Sequence, residues 1–177
     1  MNESQEGEKF FIDSKPVNWD DIGDPERQNL DFVPDILTDT ELTIFRVLVY
    51  LGPHSTRNIW NRVCEHIFGE ELEIEETSRS YDEIRDIMSD RDIKFPSYHT
   101  VKKSLHTMNE NGMITTRPSN KGNTDELYTI NPKFKKVWRK RRNQIIENKK
   151  LDQLNPRAIK FYNIQATEDD AGNPVFY

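Results

Sequence analysis

The spacing of hydrophobic positions through the middle of this chain predicts a clear run of elements. Leu42, Phe45, Leu48 and Val49 fall on one helical face. Ahead of them Thr38 and Glu41 form a capping box, Leu37 and Leu42 occupy the staple positions, and Gly52-Pro53 stops the helix. Ser55 opens a second helix from Thr56 to about Phe68, with Ile59, Val63 and Ile67 at four-residue spacing, Trp60 beside them and Gly69 as terminator. Ser80 caps a short helix, Tyr81 to Met88, that turns Ile84, Ile87 and Met88 inward. Ser97 caps another, Tyr98 to Asn111, with Val101, Leu105 and Met108 inward and Gly112 as a left-handed terminator. The period then changes: Met113 to Arg117 and Leu127 to Ile130 read as two strands joined by the turn-rich stretch Pro118 to Glu126. Asn131 and Pro132 start a last helix that runs to about Lys150.

Outside these elements no period holds for long. Residues 1–36 mix acids, Gly, Pro and Asn with scattered Phe10, Phe11, Trp19 and Phe32, and read as an arm that is disordered or partly docked. Residues 152–177 form a tail whose Ile159, Phe161, Tyr162 and Val175-Phe176-Tyr177 could clip onto the domain or onto a second subunit. The predicted organisation is an acidic N-terminal arm (1–36), a domain over 37–131 with an acidic insertion at 69–94, a basic C-terminal helix (132–151) and the tail (152–177). The fold class is mainly α with a small β-hairpin (α+β), carried with flexible arms.

Helix, helix, helix and then a hairpin is the order of a winged helix-turn-helix, in which the helix before the hairpin enters the major groove of DNA. The stretch LTDTELTIFRVLVYL from Leu37, followed by GPHSTRNIWNRV, resembles the opening of the penicillinase-repressor family of winged-helix regulators. The later stretch SYHTVKKSLHTMNENGMITTR, ending in ELYTINP, is similar to that family's recognition helix and wing. The matching positions are Glu41-Leu42, Gly52-Pro53, Thr56, Ile59, Thr100-Val101, Leu105, Met108, Gly112, Ile114 and Tyr128. The resemblance implies a sequence-specific double-stranded DNA-binding transcriptional repressor that acts as a homodimer.

Charge sharpens this picture. The 177-residue chain has a net charge of −6, but the charge is segregated. Residues 1–37 and 69–92 are each −7, whereas residues 93–131 are +2 and residues 132–151 are +8. The local field of one face governs polyanion binding, so an acidic total does not exclude it. The outward face of the Tyr98–Asn111 helix carries Tyr98, His99, Thr100, Lys102, Lys103 and His106, positioned for base edges and phosphates. The hairpin offers Arg117, Asn120 and Lys121 to the backbone or minor groove. In the last helix Phe134, Val137, Trp138 and Ile145 share a face, while Lys135, Lys136, Arg139 and Lys140 occupy the rest. Arg141 interrupts the apolar stripe, so the first half is expected to pack and the second half, with Arg141 and Arg142, to meet a partner or DNA.

The acidic run Glu70, Glu71, Glu73, Glu75 and Glu76 reads as a solvated loop, or as a contact for the basic helix of a second protomer. It keeps a second class of function open: a winged-helix protein-interaction module in a transcription or replication assembly, with a protein partner for the acidic segments. Catalysis finds no foothold. Cys64 fits a small core residue, and His54, His66, His99 and His106 have no zinc-ligand spacing beside a single cysteine. No phosphate-cradling glycine loop, nucleophile elbow or metalloprotease helix is present. The expectation is a non-enzyme with no cofactor and no metal. Lone Cys64 and the lack of a long apolar run or leader-like start suggest a cytoplasmic protein without a membrane partner, nucleoid-associated if bound to DNA.

Overall fold

A computed structural model describes residues 30, 33–72, 79–118, 126–148 and 154–177. Over these residues the fold is mainly helical with small antiparallel sheets, an α+β arrangement. Helix α1 (Val33–Ile36) leads into α2 (Asp39–Leu48) through the capping box. The Thr38 hydroxyl accepts from the Glu41 amide at 3.1 Å, and the Glu41 carboxylate accepts from the Thr38 amide at 2.9 Å. That reciprocal bonding gives the buried Glu41 carboxylate a hydrogen-bond donor in the Thr38 amide.

A two-residue strand, β1 (His54–Ser55), precedes α3 (Thr56–Leu72). Helix α3 runs through Gly69, where the sequence predicts an end. Glycine costs about 1 kcal/mol inside a helix, and tertiary contacts on both sides of it offset that. Phe68 is buried, Leu72 packs beside it, and Glu70 pairs with Arg46 of α2 at 2.7 Å. Helix α4 (Tyr81–Asp90), capped by Ser80, closes a small core of its own in which Ile84 and Met88 meet Phe68. The 69–94 segment is thus helical in part; Glu73, Glu75 and Glu76 of the expected acidic loop lie outside the described residues.

Helix α5 (Tyr98–Glu110) buries Val101, Leu105 and Met108 against α2 and α3. Strands β2 (Ile114–Pro118) and β3 (Glu126–Ile130) form the expected hairpin, in register from Ile114–Ile130 to Pro118–Glu126. The sheet has a third member: β1 pairs with the free edge of β3 through His54–Tyr128, giving the order β1-β3-β2. Two residues are too few to produce a readable period, so the sequence does not announce β1.

Helix α6 (Pro132–Asn148) turns Phe134, Val137, Trp138 and Ile145 inward as the spacing predicts. The tail clips onto the domain, one of the two readings that its sequence leaves open. It folds into α7 (Pro156–Phe161) and a hairpin of β4 (Ala166–Glu168) and β5 (Pro174–Phe176), and α7 packs on α1 and α2. Phe45 stands at the centre: it stacks on Phe161 at 4.7 Å and meets Phe134 and Trp138 edge-on at 5.7 and 5.8 Å. The buried Trp138 indole donates to the Phe161 carbonyl at 3.0 Å. Arg157 donates to the Pro34 and Leu37 carbonyls at 2.8 and 2.6 Å and pairs with Asp39, so the tail also fastens α1. Leu30 and Val33, placed in the N-terminal arm by the sequence, belong to the same core.

Candidate nucleic-acid interface

Serine 97 sets the start of α5. Its hydroxyl accepts from the Thr100 amide at 3.1 Å and lies 3.0 Å from the Thr100 hydroxyl. Thr100 is therefore exposed but engaged in the cap. With Val101, Leu105 and Met108 buried, the helical period leaves His99, Lys102, Lys103 and His106 exposed. No acid occupies the first turn. His106 contacts Glu110 one turn on at 2.9 Å, which places a carboxylate at the far end of this basic face.

Tyr98 is half-buried and does not project with the others. Its ring meets Trp60 edge-on at 5.8 Å, and the Arg57 guanidinium lies over it at 5.3 Å. The Trp60 indole donates to the Pro96 carbonyl at 2.9 Å and fixes the segment that leads into α5. These contacts set the beginning of α5 against the beginning of α3. Between them and β3 runs a groove of about 400 Å³, lined by Ser55, Arg57, Asn58, Lys102, Glu126 and Tyr128, among others. Arg57 and Asn58 are exposed there and were not singled out in the sequence. The signal that finds them is positional: they occupy the first turn of the helix that crosses beneath the basic one, where amides and cations suit phosphate.

Glu126 is the acid of the groove. It accepts from the Tyr128 hydroxyl at 3.3 Å. Burial, together with the Glu126 charge, pushes the Tyr128 phenol above its ordinary range and keeps it a proton donor. On the hairpin, Arg117 is exposed opposite Leu127, while Asn120 and Lys121 lie outside the described residues.

Helix α6 divides its basic residues. Lys136 and Arg139 are exposed, and Lys135, Lys140 and Arg141 are half-buried. The expectation for its second half needs correction at Arg142. The Nε of Arg142 donates to the Tyr162 carbonyl at 2.8 Å and an Nη to the Asn163 carbonyl at 3.3 Å. Those carbonyls end α7, where Asn163 has turned left-handed at φ 51° and leaves them without helical partners. Arg142 and the buried Ile145 hold the tail in place, so the second half of α6 docks as well as the first.

Among the described residues no group of three or more His, Cys, Asp or Glu could hold a metal ion, and no helix is long and apolar enough to cross a membrane. Cys64 is buried, and that burial pushes its thiol up, opposed by the Arg85 guanidinium. Comparison with protein-family models, with curated proteins and with solved structures finds no match to this chain.

Proposed function

We propose that this chain is a winged-helix, sequence-specific double-stranded DNA-binding regulator of transcription, a repressor that binds as a homodimer. One observation carries the reading. Helix α5 rests on α2 and α3, is followed at once by the β2–β3 hairpin, and exposes His99, Lys102, Lys103 and His106 beside Arg57 and Asn58 of α3. In this reading α5 enters the major groove, the first turn of α3 and Arg117 meet the backbone, and Lys136 and Arg139 of α6 reach flanking phosphates. A single helix reads few base pairs, and a two-fold pair of copies doubles the site. The apolar stripe of α6 is occupied by α2 and α7, so the contact between copies would use another surface.

The test is fluorescence anisotropy of a labelled random duplex, titrated across salt, with sizing of the free and bound protein. Neutralising about six phosphates, by Arg57, Arg117, Lys136 and Arg139 together with Lys102 and Lys103, gives a slope of log K against log[salt] near −5. Replacing Lys102 and Lys103 by Ala should weaken binding and lower that slope by about 2. Replacing Lys136 and Arg139 by Ala measures the share of α6. Salt-insensitive or absent binding would refute the reading. It would favour an interaction module instead, for which the exposed acids of α4 (Asp82, Glu83, Asp86 and Asp90) are the motivating surface.

A further inference from the structure

Away from α5, three helices bring basic side chains toward one carboxylate. Arg46 of α2 reaches Glu70 Oε1 with an Nη at 2.7 Å, and His66 Nε2 of α3 lies 3.3 Å from the same oxygen. Lys160 of α7 acts on both His66 and Glu70 through its charge. One carboxylate thus answers two permanent cations and an imidazole. The answer is incomplete: Arg46 Nε is buried without a hydrogen-bond partner, and His66 Nε2, though 3.3 Å from the Glu70 oxygen, does not meet it in hydrogen-bond geometry. Orphaned buried donors are uncommon because each forfeits the water it gave up. Glu70 stands over them on the last turn of α3 and is 45% exposed, whereas the Arg46 side chain is only 15% exposed.

We infer that Arg46, His66 and Lys160 form a binding site for a small phosphate-type oxyanion, with Glu70 as the internal carboxylate that occupies it when no ligand is bound. The edge of the Arg46 guanidinium carries Nε and Nη side by side, a fork that fits two oxygens of one anion. Glu70 uses a single oxygen on that fork and leaves Nε unserved. A phosphate brings oxygens for Nε and Nη together within the field of Lys160, and its second negative charge favours a protonated His66 as a further donor. Exposure of Glu70 gives its side chain solvent to swing into. The site lies on α2, α3 and α7 and shares none of its residues with the basic face of α5, so it stands independently of DNA binding.

The experiment is thermal unfolding of the full chain with increasing inorganic phosphate at constant ionic strength, repeated with glycerol phosphate. The expected result is a saturable rise in Tm. Its half-saturation should fall at least ten-fold in Glu70→Gln, which removes the competing charge, and rise several-fold in Lys160→Ala. Arg46→Gln should abolish it. Because Arg46→Gln could unfold the protein, the His66 ring-proton NMR signals are followed in wild type and Glu70→Gln, where phosphate should move them with the same half-saturation. Tighter binding of glycerol phosphate would assign the site to a phosphomonoester, and weaker binding would assign it to free phosphate; equal binding would show recognition of the phosphate group that both share. No saturable shift in Glu70→Gln with either anion, or a shift insensitive to both Lys160→Ala and Arg46→Gln, would overturn the inference.

Discussion

Replacing Arg142 by Ala separates two roles that the same residue could play. By charge and position on a helix of net positive charge it reads as a DNA contact. In the fold its guanidinium closes the end of α7 through bonds of 2.8 and 3.3 Å to the Tyr162 and Asn163 carbonyls. A hydrogen bond from a charged group is worth about 1.5–3 kcal/mol. The acceptors here are neutral and Arg142 is half-buried, so the shorter bond belongs at the low end and the longer one below it. Together with the carbonyls left facing α6, the loss comes to about 2–3 kcal/mol. For a chain of this size that lowers Tm by roughly 5–10 °C. Urea denaturation measures the stability change, and anisotropy with duplex DNA, at a temperature where the variant is folded, measures the contact. The exposed Arg139→Ala is the comparison and should stay within about 0.5 kcal/mol of wild type in stability. If Arg142→Ala left the urea midpoint unchanged while duplex affinity fell five-fold or more, the clamp would be refuted.

Phe45→Ala removes the ring that joins Phe134, Trp138 and Phe161 and should cost about 3–5 kcal/mol by urea denaturation; a loss under about 1.5 kcal/mol would mean that α7 is not seated on α2. Thr38→Ala removes the hydroxyl that accepts from the Glu41 amide while the Thr38 amide still serves the Glu41 carboxylate, so a loss of about 1–2 kcal/mol is expected, with little change in Thr43→Ala as a control. Stability should also fall as pH drops below neutral. Burial is the main influence on His66 and draws its pKa below the usual 6.5, so the folded state binds that proton more weakly than the unfolded chain, and stability present above 6.5 is lost below it. For Glu70, burial raises the pKa, but the Arg46 hydrogen bond and the surrounding cations outweigh it and hold the carboxyl below its usual 4.5, so its share is lost as pH falls further. Urea midpoints from pH 7.5 to 4 check both, and His66→Gln should remove the part of the decline between 7 and 5.5.

Much of the central fold was legible because its signals are local. The capping box at Thr38 and Glu41, the caps at Ser80 and Ser97, and the inward stripe Val101, Leu105 and Met108 depend on residues within a turn or two of each other. The exposed basic face of α5 follows from the same period, since knowing the buried side of a helix fixes the other. Tertiary contact decided the rest. Helix α3 passes Gly69 because Glu70 and Leu72 find partners on α2 and beside α4. Strand β1 exists only because β3 offers it an open edge. The groove at α5 acquires Arg57 and Asn58 from a helix some forty residues earlier in the chain. The tail, which its sequence leaves open between the domain and a second subunit, depends on such contacts most. Asn155 and Pro156 are a readable helix start, yet nothing local says that Phe161 will stack on Phe45 or that Arg142 will serve carbonyls twenty residues on. Periodicity reports which face of an element is buried, whereas the identity of what buries it depends on contacts between residues far apart in sequence.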